Sequence, residues 1–451
     1  MNNNLNIIGS GLSGPLLATL IGQSNNFNIN MFERSSDYRK SMRFSGRSIN
    51  LALSERGIHS LKMANVFNDR FQSELIPMYG RAIHDLNGKE TIQLYGNKKN
   101  HFINSVSRSA MNNILIDSAE KNKKVKINFN MLCSNINLNS QEMIFDKTII
   151  KANGPIIGSD GYRSVVSKAI SKSHNVPLNY IDIEHSYKEL TMKSKNNEYQ
   201  LDPNYLHIWP RRDLMIIALP NTDKSFTCTL FMKTDGENSF NTINTSKELH
   251  NFFENNFNDL IPLIDNLDDN FFNNPTGKLI GLKVPHWYYK DKALLIGDAA
   301  HATVPFYGQG MNAAFEDCYI LSNIINENKN SDWKEIFEIF TTSRKNDADA
   351  ILDLSLMNYK IMRNDVLDES FINKQKLSFI LNIKFPNQFI PIYTMVSFTR
   401  IPYKTALERA KIQDEILDIL IKNLININNY DEQLSEKLIN KKLSKINESI
   451  C

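Results

Sequence analysis

An apolar run, Leu5-Asn6-Ile7-Ile8, passes directly into Gly9-Ser10-Gly11-Leu12-Ser13-Gly14 and then into a second apolar stretch. A strand, a glycine turn and a helix in immediate succession leave few folds open. The first glycine permits the sharp bend, the second lets backbone approach a pyrophosphate, and the third lets helix and strand pack closely. The helix N-terminus adds free N–H groups and a partial positive charge. Met31-Phe32-Glu33-Arg34 then ends a second strand, and Glu33, 19 residues past Gly14, is spaced to accept hydrogen bonds from a ribose diol. This context predicts an α/β, Rossmann-like domain that binds a dinucleotide.

The 451 residues suffice for two or three domains, and 41% hydrophobic with 22% charged residues is ordinary for a globular chain. A net charge of +3 without a Lys/Arg block gives no reason to expect a nucleic-acid partner. The four cysteines, Cys133, Cys228, Cys318 and Cys451, stand far apart with no CxxC, so no metal site or disulfide framework is expected. No signal peptide precedes the first strand, and the longest apolar candidate, Leu377 to Phe398, is broken by Asn382, Lys384, Pro386, Asn387, Gln388 and Pro391. The expectation is a soluble, cytoplasmic protein without membrane contact, a monomer or homodimer. Its tail from Ile421 alternates Leu and Ile with Asn and Lys, as in an amphipathic terminal helix.

Further along, a turn at Asn87-Gly88 separates short strands, Arg108 to Ala119 fits a helix, and residues 125 to 150 are β-like. Residues 175 to 285 show period-two patterning, as in Tyr205-Leu206-His207-Ile208-Trp209, which suggests a mainly antiparallel inserted sheet. After residue 330 the pattern is chiefly helical. The expected organisation is a discontinuous nucleotide domain (1–75, 105–175, 285–330), an inserted β domain (76–104, 176–284) and a helical C-terminal region (331–451).

Two later strand ends repeat the glycine-plus-acid theme. One is Gly158-Ser159-Asp160-Gly161-Tyr162-Arg163-Ser164, the other Gly297-Asp298-Ala299-Ala300-His301, leading to Pro305-Phe306-Tyr307-Gly308-Gln309-Gly310-Met311-Asn312. The last segment formally matches GxGxxA but begins well after its strand has ended, so a second dinucleotide fold is not expected. Taken together, the three junctions resemble those of the flavoprotein aromatic hydroxylases. Further segments, including Leu206-His207-Ile208-Trp209-Pro210-Arg211, Ile217-Ala218-Leu219-Pro220-Asn221 and Phe389-Ile390-Pro391-Ile392-Tyr393, resemble the branch of that family acting on L-kynurenine.

The resemblance implies bound FAD, with NADPH and O2 as co-substrates and a flavin C4a-hydroperoxide that delivers oxygen to the aromatic ring. It implies cofactor contacts at Gly9, Gly11, Leu12, Ser13, Gly14, Glu33, Arg108, Asp298, Gly310, Met311 and Asn312, with the Asp298 carboxylate on the ribityl chain. It implies substrate contacts at Arg81, Tyr95, Asn358 and Tyr393, and no catalytic side chain, since the flavin carries the chemistry. A forked guanidinium assisted by phenols suits an amino-acid carboxylate. Two departures from the family pattern stand out. Ser167-Lys168 replaces an arginine usual after Ser164-Val165-Val166, and no counterpart of the eukaryotic C-terminal anchor is found. Activity on another aromatic acid, or flavin binding without catalysis, are the alternatives.

Overall fold

The computed structural model describes residues 3–24, 26–40, 50–96, 100–146, 148–362, 368–422 and 429–446. Asn50–Leu53 is a strand. Two compact units form. The first comprises Met1–Leu75, Val106–Ile183 and Ile280–Leu352, and the second Ile76–Ser105, Glu184–Leu279 and Asp353–Cys451. The helices after residue 330 therefore do not make a third region. Trp333, Ile336, Phe337, Phe340 and Ala348 are buried in the first unit's core, whereas Leu377, Leu381, Phe389, Ile416 and Ile439 build a smaller core within the second.

The first unit is organised by a six-stranded sheet in the order Tyr288–Tyr289, Ala293–Leu295, Ile156–Gly158, Asn4–Ile8, Asn28–Phe32, Val125–Asn128. All neighbours pair in parallel except the antiparallel edge strand Tyr288–Tyr289. Parallel strands covered on both faces must be apolar almost throughout, and Leu5, Ile7, Ile156, Leu294 and Leu295 are fully buried. Asn6 is buried among them because its Nδ2 donates to the Gly154 carbonyl at 3.2 Å. The helix Ser13–Gly22 buries Leu16, Leu17, Ala18, Leu20 and Ile21, as a helix apolar on most sides must. The three glycine junctions of the sequence all fall at strand ends of this sheet.

The second unit carries most of a seven-stranded sheet, ordered Gly277–Lys283, Asn179–Met192, Phe226–Lys233, Leu214–Pro220, Tyr205–Arg211, Gly80–His84, Glu90–Leu94. From Asn179–Met192 through Phe226–Lys233 and Leu214–Pro220 to Tyr205–Arg211 the pairing is antiparallel as expected, whereas Tyr205–Arg211 runs parallel to Gly80–His84, a strand reached from elsewhere in the chain. Gly88, at φ +74°, makes the turn after Gly80–His84, and Asp85 Oδ1 accepts the Asn87 and Lys89 N–H groups.

On one face of that strand, His84 lies over the Trp209 ring at 4.1 Å and approaches His207. These two histidines and Glu90 bring ligand-type atoms within 4.8 Å of one another. The 2.9 Å between His84 Nε2 and His207 Nδ1 is a hydrogen bond, since His207 Nε2–H points at the Asp202 carbonyl, 2.8 Å away, and leaves Nδ1 to accept. Burial, aided by His207 and the Arg211 guanidinium, pushes the His84 pKa down to about 4.

The stretch Leu377 to Phe398 divides into the helices Glu369–Lys384 and Ile392–Ser397. The tail forms the helix Glu432–Lys442. Among the described residues no helix is long and apolar enough to cross a membrane.

Candidate flavin and substrate sites

In the first unit, the glycine turn has the division of labour its spacing predicts. Gly9 adopts φ +99°, and a Cβ there would sit 2.7 Å from the Ser159 carbonyl oxygen. A Cβ on Gly14 would lie 2.3 Å from the Gly9 oxygen, so both positions are closed to side chains. Gly11 is different: a Cβ there would meet nothing within 4 Å, so open space adjoins the backbone where a pyrophosphate is expected. Leu12 caps Ser13–Gly22 without any side-chain hydrogen bond, leaving first-turn N–H groups for an anion. Glu33 receives the Ser10 N–H at 2.7 Å and the Ser35 N–H at 2.8 Å. Each of its oxygens keeps acceptor capacity for a ribose hydroxyl.

Arg108 is exposed at the start of Arg108–Glu120. One turn later Asn112, which the sequence reading did not single out, donates from Nδ2 to the Ser10 and Gly11 carbonyls at 3.0 and 2.6 Å. Ser159 Oγ likewise donates to the Ile8 or Gly9 carbonyl, each 3.0 Å away. The loop is thus fixed from two sides before any ligand arrives. Ser159 stands within the middle glycine-plus-acid junction, whereas no local pattern marks Asn112, which acts on a loop distant in sequence.

Asp298, at the third junction, is exposed as the first residue of the short helix Asp298–His301, just after Gly297 at φ +56°. Pro305–Tyr307 forms a turn of 3-10 helix with Phe306 and Tyr307 buried, and Gly310–Glu327 follows with Gln309 at its cap and no side-chain cap bond. Gly310 and Met311 are therefore in a helix start with backbone donors to spare. Asn312 is also in that first turn, but its side chain is fully buried and turned to the protein. Its Oδ1 accepts the Ser54 N–H at 2.9 Å, and its Nδ2 donates to the Ala52 and Gly308 carbonyls, both at 2.8 Å. The Asn312 side chain thereby braces the loop, and a cofactor contact at this position would fall to its backbone in the helix's first turn. His301 is buried, stacked on Trp287 and bonded to Asp317, away from any ligand role.

At the middle junction, Asp160 Oδ2 accepts the Val165 N–H at 2.7 Å, while its Oδ1 is buried without a partner. Burial outweighs these N–H bonds and pushes its pKa up to about 6. Ser167, where the family usually has arginine nearby, is fully buried and bonds back to Ser164, and Lys168 is exposed. The departure thus leaves the helix start intact.

The second unit brings three of the four expected substrate residues together. Tyr95 and Tyr393 stack at 4.7 Å with planes 11° apart. The Arg81 guanidinium carbon lies 5.8 Å from the Tyr95 ring centre and 5.2 Å from that of Tyr393. Register explains part of this: Gly80 pairs with Leu94, so Tyr95 follows directly beside the start of the Arg81 strand. Two polar atoms are conspicuous. Arg81 Nε and the Tyr95 hydroxyl are buried with no hydrogen-bond partner. Burial, then the neighbouring Tyr393, raises the Tyr95 pKa well above its ordinary value, so the phenol stays a proton donor. Tyr393 is raised too, again chiefly by burial.

Phe398, a residue not anticipated, closes the cluster: its ring is 5.8 Å from Tyr393 and 6.3 Å from Tyr95, and it stacks on His101 at 4.8 Å. Its place seven positions after the proline at 391, in the same segment as Tyr393, was the one local signal available. Asn358 comes from Trp333–Lys360, buried, with its Nδ2 3.4 Å from Met362 Sδ. A guanidinium with an unsatisfied N–H beside an unsatisfied phenol is a site built for an anion, because leaving either group buried and unpaired costs free energy.

The first unit's features fit an FAD: open space at the middle glycine, uncapped helix starts, a ribose-spaced acid and an exposed Asp298 carboxylate. Comparison with known proteins agrees. The family described as "FAD binding domain" matches residues 3–355. The kynurenine 3-monooxygenase of Cytophaga hutchinsonii is 42% identical over 424 residues, covering 93% of this chain and 94% of that protein. That of Dictyostelium discoideum is 38% identical, covering 99% of both. Among solved structures, a tetrameric form of 2-methyl-3-hydroxypyridine-5-carboxylic acid oxygenase shares the fold at 19% identity, with a TM-score of 0.65 over 81% of this chain and 93% of that one. With a family match across most of its length and relatives this similar end to end, the chain belongs to the kynurenine 3-monooxygenase family of FAD-dependent monooxygenases.

Proposed function

We propose that this protein hydroxylates L-kynurenine at ring carbon 3, consuming NADPH and O2. The observation that carries the substrate assignment is the Arg81–Tyr95–Tyr393 cluster, with a guanidinium N–H and a phenol buried and unpartnered, in a chain of this family. FAD, held by residues of the first unit, would supply the redox chemistry that links NADPH and O2 to an electron-rich ring. Everything else falls to the chain's own residues. Glu33, the glycine turn and Asp298 hold the cofactor. Arg81 binds the substrate carboxylate, Tyr95 donates a hydrogen bond to it, and Tyr393 packs against both, while Asn358 stands on the helix Trp333–Lys360 beside Met362.

Holding that end fixes where the aromatic ring sits, and the apolar surround of Phe398 and the stacked phenols excludes water. The substrate's aniline nitrogen already activates the ring, so no catalytic base is required of the protein. The test is NADPH oxidation by the FAD-loaded protein with L-kynurenine and with kynuramine, its analogue without the carboxylate. Stimulation by L-kynurenine alone supports the reading. Equal stimulation by both removes the carboxylate clamp from it.

A further inference from the structure

Beneath the Gly297-Asp298 turn lies a buried chain of charges that no cofactor or substrate contact accounts for. Asp317, fully buried on the helix Gly310–Glu327, accepts the Gly297 N–H at 3.0 Å and His301 Nε2–H at 2.5 Å on one oxygen. Its other oxygen accepts Arg344 Nε at 2.9 Å. Arg344 is ion-paired with Glu316 at 2.9 Å, and Glu316 with Arg56 at 2.8 Å, all of them buried. One carboxylate therefore grips both the residue just before the four-residue helix Asp298–His301 and the last residue of that helix. A helix this short cannot hold its own geometry, since isolated short helices are unstable in water. The backbone at Gly297, φ +56° and ψ −143°, is one that glycine adopts freely and a side chain would disfavour, so the turn depends on Gly297 and on what holds it.

We propose that Asp317 is a positioning residue for the cofactor: through Gly297 and His301 it sets where the exposed Asp298 carboxylate points. Arg344 and, behind it, Glu316 and Arg56 keep Asp317 ionised at no net charge for the four. Although burial alone would push it up, His301 and then Arg344 hold the Asp317 carboxyl below the usual carboxylate range. The charge matters as much as the shape. Both oxygens of Asp317 face donors, so an asparagine amide must turn its NH2 toward either Arg344 or the Gly297–His301 pair, and no orientation satisfies both. The inference rests on FAD occupying this site and is independent of which aromatic compound is oxidised.

The experiment is a double-mutant cycle read by FAD dissociation constant, from flavin fluorescence quenching on binding to apoprotein, with apoprotein Tm measured in parallel. Asp298→Ala and Asp317→Asn are each expected to weaken FAD, the second by roughly tenfold, a loss typical of removing one supporting contact. If Asp317 acts through Asp298, Asp317→Asn has no further effect in the Asp298→Ala background. Equal losses in both backgrounds, or a fall in Tm with FAD affinity unchanged, overturn the proposal and leave Asp317 a structural charge. Should Asp317→Asn fail to fold, His301→Leu severs one of the two ties without removing a charge from the Arg344–Glu316–Arg56 set. It is read in the same cycle with the same criteria. Failure of kynurenine turnover with an intact cycle would count against the substrate alone.

Discussion

Removing one oxygen atom from Tyr95 separates a ligand-directed side chain from a core one. In Tyr95→Phe the stack on Tyr393 at 4.7 Å survives, and only the hydroxyl is lost. That hydroxyl is buried without a hydrogen bond of full geometry, with Tyr393 and Arg81 near enough for only weak contacts to it. An unsatisfied buried hydroxyl costs about 1–3 kcal/mol, so its removal should not destabilise the ligand-free protein and should raise stability by about 1 kcal/mol. For a chain of this size that is a Tm increase of roughly 2 °C. Binding moves the other way. A hydrogen bond from a neutral donor to a carboxylate contributes about 1.5–3 kcal/mol, so L-kynurenine affinity should fall about 10- to 100-fold. Thermal melts of the substrate-free holoenzyme and titration by flavin absorbance read the two effects separately. The reasoning is refuted if Tm falls by several degrees, which means the hydroxyl is bonded in the free protein, or if affinity is unchanged.

Three further outcomes are expected. Arg81→Ala should raise KM for L-kynurenine by about 100-fold or more with FAD affinity unaltered, because a buried charge-assisted pair is lost; loss of FAD with KM unchanged would misplace the clamp, and steady-state kinetics with a flavin titration decide. Asn112→Ala should weaken FAD about tenfold while sparing kynurenine binding, since it frees the Ser10 and Gly11 carbonyls from their tie; fluorescence titration checks it. His84 is neutral when folded, with its pKa pushed down to about 4, whereas the unfolded imidazole takes a proton near pH 6.5. Its contribution is complete above pH 6.5 and is lost as pH falls from there to about 4, up to about 3 kcal/mol. Denaturant melts of His84→Gln should accordingly show a flatter acid limb than the parent; an unchanged limb contradicts the buried neutral pair.

What could be read from the sequence follows from the range over which each signal acts. The strand–turn–helix junctions at Gly9, Gly158 and Gly297 are local patterns, and all three fall at strand ends of one sheet. The inserted antiparallel sheet was legible for the same reason, period two being a property of neighbours. The parallel pairing of Tyr205–Arg211 with Gly80–His84 was not, because it depends on which distant strand arrives beside it. Arg81, Tyr95 and Tyr393 carried no local mark of function; only resemblance joined them, and their stacking is the observation that gives the resemblance physical content. That the Asn312 side chain braces Ser54 was not legible, because the two lie 258 residues apart. Asn112 and Asp317 escaped notice altogether, since each looks like an ordinary helix residue until the loop it braces is folded onto it.

Kynurenine 3-hydroxylation is tested most directly by identifying the product when purified, FAD-loaded protein turns over NADPH in the presence of L-kynurenine. Strong stimulation of NADPH oxidation is expected, with a product one oxygen heavier, hydroxylated at ring carbon 3. Stimulation that yields only hydrogen peroxide, or none from a fully flavin-loaded protein, would contradict it.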